Sequence, residues 1–488
     1  MKIIKAFFLF TSLCASAQAS VIEHFEKIKT NPTSLYEFFK SMPKGGELHY
    51  HLAGGPYPET MLKLIAQGGY CLNTETMAIS KVDKHCDGVP SQDIMKNPEL
   101  YSAVVRSWSM KDFKPGKESG HDHFFNSFLK FMPIVLDFRP ALLADVMQRA
   151  SAQNEQYLEI LDIPDNAHSL SFAPLIKDAR SFTEKSNILL TNSDFQKNVQ
   201  TTIQVSEDII AQARQILGCA ENAKAPGCEV KIKLIYYVLR EQPLDAFFAQ
   251  ALNAFAAVAQ SSNALVGVNA VQAEDGIIAL RDYRQHMDIF KYLHAQYPQV
   301  NISLHAGELT DTVATPEDLT FHVHEAILTG QAQRIGHGVD IRHEDEVAVK
   351  YMAKHQIPVE INLTSNQSIL QISGAQHPLN YYLAQQVPVV LSTDDEGILR
   401  TDLSEQYVTA VLQHRLDYPT LKQINRNTLT YAFIPGQSIW ANPAQAKPVK
   451  ACLDWYSKSC ALFLKGNEKG QLQWNLEQKL REFEAGFK

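Results

Sequence analysis

The sequence predicts an α/β chain folded as a (β/α)₈ TIM-type barrel, with an insertion after the first strand and extra terminal helices. Three observations lead there. Eight short apolar segments recur, at 47–52, 157–163, 230–239, 265–271, 301–305, 334–339, 358–363 and 388–392, each carrying Val, Ile, Leu or Tyr as strands do. Stretches with helical spacing, at 243–259, 276–296, 316–329 and 344–354, lie between them. Such alternation implies a parallel sheet, and eight repeats imply its closure. Histidines and acids gather at the C-terminal ends of these segments, the face on which barrels of this type carry their chemistry.

In chain order, Lys2 and Lys5 precede an apolar run from about Ala6 to Ala15 and the small-residue sequence Ala17-Gln18-Ala19. That order predicts a signal peptide over 1–19 and an exported, periplasmic or secreted, protein. The run falls short of the roughly 20 apolar residues of a spanning helix. Residues 20–42 read as a helical lead-in, with Phe25, Ile28, Leu35 and Phe38 placed for burial. A single barrel domain is expected over 20–488, with 57–123 inserted after the first strand. This insertion is surface decoration on one reading, and a lid or dimer contact on another. Residues 402–488 read as closing helices.

Of seven cysteines, Cys14 lies in the leader, and the other six form close pairs: Cys71 with Cys86, Cys219 with Cys228, and Cys452 with Cys460. An even count in local pairs suits an oxidising compartment and predicts three local disulfides. The formal charge is −8, and without the leader 43 basic residues face 53 acidic ones. A mildly acidic surface with no Lys/Arg runs argues against nucleic acid or an anionic membrane as partner.

The first strand holds Glu47-Leu48-His49-Tyr50-His51, and the period of two sends both imidazoles to one side. The fifth ends in His305-Ala306-Gly307-Glu308, the sixth in Gly336-His337-Gly338, and the eighth in Thr393-Asp394-Asp395. A lone histidine is usually a core or surface group, and paired aspartates are usually a solvated loop. Their shared placement at strand ends is what those bland readings leave unexplained. Three neutral imidazoles and one carboxylate suit zinc with a position left for water, whose pKa the ion lowers to about 7. Glu308 would then protonate the substrate, and His337 would orient or deprotonate the water.

The segments PKGGELHYHLAGG, SLHAGE, RIGHG and LSTDDEG resemble, in order and spacing, the signatures of the adenosine deaminases within the metal-dependent amidohydrolases. The resemblance spans roughly residues 43–435. The leader, the opening MPKGG and the cysteine-bearing insertion look more like the secreted, growth-factor-related branch, which implies a homodimer. The resemblance makes His49, His51, His305 and Asp394 the ligands of one Zn²⁺. It makes Glu308 the proton donor to purine N1, His337 the group beside the water, and Asp395 the partner of N7, with Gly54 and Gln272 also at the substrate. The implied reaction is hydrolysis of adenosine, and of 2′-deoxyadenosine, to inosine-type products and ammonia. Segment 360–366 resembles the family's Ser-Asn stretch and is expected to shape the mouth. No lysine stands in LVGVNAV to bridge a second metal.

Two positions depart from the family. Ala53 replaces an acid that binds a ribose hydroxyl, a hydrogen bond worth about 1.5–3 kcal/mol. Gln272 stands where a glycine N–H meets purine N3. The chemistry is therefore better marked than the substrate, and deamination of adenine or of another modified aminopurine nucleoside is the first alternative. A non-catalytic secreted binding or signalling protein on a vestigial barrel is the second. The cytidine-deaminase type of zinc site is disfavoured, because no C-x-x-C occurs.

Overall fold

A computed structural model describes residues 20–261 and 263–487; the leader expected over 1–19 lies outside them. The eight barrel strands are β1 (Glu47–His51), β2 (Tyr157–Asp162), β3 (Lys231–Leu239), β4 (Leu265–Val271), β5 (Asn301–Ala306), β6 (Arg334–His337), β7 (Val359–Ile361) and β8 (Val389–Leu391). Each is parallel to the next in chain order. The ring closes where the His51 N–H donates to the Asp394 carbonyl at 3.0 Å and the Asp394 N–H to the His49 carbonyl at 3.2 Å. Strands in such a ring are buried on both faces, which is why β2, β7 and β8 are buried throughout and read as apolar runs.

The barrel interior also carries charge. Arg334 on β6 reaches Glu159 on β2 at 2.7 Å and Glu360 on β7 at 2.6 Å, and its guanidinium lies 3.7 Å over the Phe433 ring. All three charged groups are buried. A buried carboxylate without such a partner would be neutralised or costly.

The outer helices follow the expected alternation, with shifted starts. The helix expected from 316 begins at His322, after a short 3₁₀ turn at Asp318–Thr320. Its start is fixed from a distance: Glu344 accepts from the N–H groups of Val323 at 2.6 Å and His324 at 2.8 Å. The helix expected from 344 begins at Glu346 because Asp345 caps it. Helix Leu244–Gln260 is Ala-rich and buried nearly all round, since the excursion between β2 and β3 lays helices Phe182–Thr191 and Ser193–Ile216 outside the barrel.

The 57–123 insertion is an ordered layer. It holds helices Pro58–Leu64 and Pro98–Ser107 and a three-stranded antiparallel sheet of Tyr70–Leu72, Ile79–Lys81 and Val89–Pro90. It runs into a 33-residue helix, Gly120–Ala152, bent at Phe138 beside Pro133 and Pro140, as prolines inside a helix require. The layer has its own apolar core, in which Met61, Trp108, Phe124 and Phe131 join Val339, Ile369 and Ile398 from the segments that follow β6, β7 and β8. It therefore covers the C-terminal mouth. The three cysteine pairs form the three disulfides expected from their spacing. Among the described residues, no helix is long and apolar enough to cross a membrane.

Candidate active site

The strand ends bring the expected residues to one point. His51 Nε2 lies 3.2 Å from His305 Nε2 and 3.2 Å from Asp394 Oδ1. His49 Nε2 is 3.4 Å from the same carboxylate oxygen and has no hydrogen-bond partner. The ligand atoms of His49, His305, His337 and Asp394 lie within 4.8 Å of one another, as do those of His51, Asp394 and Asp395. All are buried.

Neighbouring groups decide which nitrogens are free to ligate. His49 Nδ1 sits 2.8 Å from a Glu360 oxygen, and His305 Nδ1 sits 2.9 Å from Asn269 Oδ1. Both oxygens only accept, so the Nδ1 atoms carry hydrogen and Nε2 turns a lone pair inward, an arrangement characteristic of metal-bound histidine. Burial drives His305 well below its usual range and also lowers His51, leaving neutral imidazoles. Burial works against the charge on His49, but Asp394 and Glu360 outweigh it and hold that ring up at about 10, so the proton on Nε2 is one that a cation binding there would displace. Burial likewise opposes ionisation of Asp394, yet the His49 and His51 hydrogen bonds bring it well below the carboxylate range. Two carboxylates around buried imidazoles call for positive charge here, and a divalent cation fits the donor set.

Around this cluster stand the acid-base groups. Burial, then the charges of Asp394 and Glu274, push Glu308 well above the usual carboxylate range, which favours its protonated form. His337 Nδ1 is 3.5 Å from Glu308 Oε1, and its Nε2 is 3.9 Å from Asp394 Oδ2. Burial takes this ring down to about 3. Burial and the Asp394 charge raise Asp395 well above its usual value, and its Oδ1 is buried without a partner. Two glycines make the space. A Cβ on Gly54 would lie 2.0 Å from Asp395 Oδ1, and one on Gly336 would lie 2.6 Å from His49 Cε1. His337, Asp394 and Gln272 hold positive φ of 68°, 67° and 94°, strain of about 1–3 kcal/mol each that recurs at functional sites.

Gln272 lies in the loop that follows β4. Its side-chain Oε1 accepts from the Glu241 N–H at 2.9 Å, which ties the amide to the loop after β3. Segment 360–366 lies against the cluster. Glu360 orients His49, the Ser365 hydroxyl donates to Asp394 Oδ2 at 2.8 Å, and Asn366 Nδ2 meets His337 Nδ1 at 2.9 Å. The sequence reading missed Asn269 and Glu274. Glu274 accepts from the Gly307 and Glu308 N–H groups, both at 2.9 Å, and from His322 Nδ1 at 2.6 Å. Burial opposes its charge, but His322 and Arg240 bring it down to about 2. The available signal was a polar residue inside an apolar strand, such as Asn269 in LVGVNAV and Glu360 in PVEINL.

Comparison with known proteins agrees with the resemblance seen in the motifs. The family model for adenosine deaminase matches residues 151–439. An adenosine deaminase of Klebsiella pneumoniae (strain 342) is 38% identical over 138 residues, 28% of this chain and 39% of the relative. The alignment thus spans about two fifths of that relative's length. Among solved structures, an Arabidopsis ADAL complexed with IMP has a TM-score of 0.54 at 17% identity, covering 91% of this chain and 99% of that one. An adenine deaminase from Arthrobacter aurescens has a TM-score of 0.51 at 16% identity, covering 83% and 97%. At such identities the likeness is one of fold. The family match alone covers more than half of the chain, and the chain belongs to the adenosine deaminase family.

Proposed function

We propose that the protein is a zinc-dependent hydrolase that removes the amino group of an aminopurine nucleoside, adenosine first among them. The observation that carries this reading is a buried cluster of four imidazoles and Asp394 at the strand ends, beside Glu308, whose ionisation burial opposes. His49, His51, His305 and Asp394 would hold one Zn²⁺. When bound, the ion supplies hydroxide at neutral pH by lowering the pKa of its water to about 7.

Glu308 gives its proton to purine N1, which makes C6 the better electrophile, and such acid-base help is worth about 10²–10⁴ in rate. Asp395, whose ionisation burial opposes, donates to the N7 lone pair and orients the ring. His337 faces the attacking water. Water adds to C6 and the amino group leaves as ammonia, so adenosine and water give inosine and ammonia.

Ala53 favours one second reading, a purine whose sugar is altered or absent, because a methyl group accepts no ribose hydrogen bond. Both are tested by the fall in ultraviolet absorbance when zinc-loaded protein meets adenosine, 2′-deoxyadenosine, 5′-deoxyadenosine or adenine. Turnover of adenosine that Glu308→Ala abolishes supports the first. Turnover confined to sugar-altered or free purine moves the substrate, and no turnover of any of them overturns both.

The leader-like start and the three disulfides support export, tested by whether the mature chain begins at Ser20 by mass spectrometry. Light scattering tests the homodimer that the secreted branch implies.

A further inference from the structure

Behind His337 runs a chain of buried hydrogen bonds that the proposed chemistry does not use. The Leu379 N–H donates to His377 Nδ1 at 3.1 Å. His377 Nε2 lies 3.0 Å from Asn366 Oδ1, and Asn366 Nδ2 lies 2.9 Å from His337 Nδ1. His377, Asn366 and His337 are all at most 1% exposed, so water does not substitute for a partner.

The direction of this chain follows from its first member. A backbone N–H can only donate, so His377 Nδ1 accepts, and the single hydrogen of that ring sits on Nε2. Nε2–H in turn needs an acceptor, which must be the Asn366 oxygen. The opposite orientation of the amide would point its NH₂ at Nε2–H, two donors face to face. Partners of this kind are what distinguish the two ends of an amide. The Asn366 NH₂ therefore donates to His337 Nδ1, and the hydrogen of the His337 ring lies on Nε2, facing the ligand cluster.

The charges around His337 would not choose this tautomer. Glu308 Oε1 is 3.5 Å from Nδ1, whereas Asp394 Oδ2 is 3.9 Å from Nε2. Once Glu308 has lost its proton, the nearer carboxylate favours hydrogen on Nδ1. The Asn366 amide stands against that exchange.

We propose that His377 and Asn366 are positioning residues that lock His337 as an Nε2–H donor, so that it holds the attacking water by its oxygen. A ring whose Nε2 already carries hydrogen has no lone pair there with which to take the water's proton. The catalytic part rests on the deaminase reading above, and the tautomer itself does not.

The test is the nitrogen spectrum of the zinc-loaded, ¹⁵N-histidine-labelled protein, with His337 assigned by its loss in His337→Gln. The expected result is an unprotonated Nδ1 and a protonated Nε2; a protonated Nδ1 overturns the proposal whatever the enzyme turns over. Asn366→Asp replaces the donor by an acceptor of the same shape and should reverse the two signals. It should also lower kcat by about 10³- to 10⁴-fold, the scale of a wrong catalytic tautomer elsewhere, with KM and bound zinc within about threefold. His377→Gln keeps an amide donor toward Asn366 and should cost less than about tenfold. Equal losses in both variants, or full activity in Asn366→Asp, overturn the catalytic part. Absence of all turnover in the parent protein refutes the deaminase reading and leaves the tautomer to the spectrum.

Discussion

The two sides of the barrel mouth are built on different principles. On the floor, side-chain atoms at the ligand cluster are held from behind by polar groups: His49 by Glu360, His305 by Asn269, Asp394 by Ser365, and His337 by Asn366. Over the mouth, the inserted layer presents an apolar core of Trp108, Phe124 and Phe131, with Ala53 at its edge. On the floor, each hydrogen bond fixes a nitrogen or an oxygen. The roof is held by packing, which fixes shape but no single polar atom. On the proposed function, floor and roof would bear separately on reaction and on substrate.

The comparison breaks most completely if the ion is removed. Treatment with a zinc chelator should abolish deamination and lower the melting temperature, and added Zn²⁺ should restore both; activity that survives dialysis against chelator would show that the floor is not a metal site. Glu308→Gln comes next, with a fall in kcat of about 10²- to 10⁴-fold in the ultraviolet assay at unchanged metal content. Glu360→Gln keeps the shape of the buried network but weakens the hold on His49, and metal affinity measured by competition should drop about 10- to 100-fold. On the other side of the mouth, Ala53→Asp should lower KM for adenosine relative to 5′-deoxyadenosine by about tenfold, the worth of one charged hydrogen bond. A change in kcat with no change in that ratio would mean that roof and floor are coupled. Smallest of all, replacing Cys452 and Cys460 by serine removes a clamp on a loop of eight residues. That should cost about 2 kcal/mol of stability, seen as a few degrees in Tm with kcat unaltered.

What the sequence made legible follows the same division. The strands stood out because a sheet covered on both faces must be written in apolar runs, and β4 lies where LVGVNAV placed it. Floor residues in strand-end clusters, such as His305 with Glu308, were visible because neighbours in the chain are neighbours in space there. Glu274 was not, since its meaning lies in N–H groups more than thirty residues away at Gly307 and Glu308. The long helix Gly120–Ala152 was hidden by Pro133 and Pro140, which read locally as breaks and become a bend only once both halves find apolar surfaces. The start of helix His322–Leu328 depends on a cap from Glu344, and no local pattern records such a partner.

The seam between the first and last strands has a further bearing, on timing. Leu48 and Ser392, which face each other across it, are 344 residues apart in the chain. At synthesis rates of about 5–20 residues per second, His49 and His51 emerge roughly 17 to 70 seconds ahead of Asp394. Until the last strand is made, two imidazoles that could capture a stray ion have no carboxylate to complete the set. A truncated or half-finished chain would thus be a poor competitor for metal, and a filled centre would report that the last strand has joined the first.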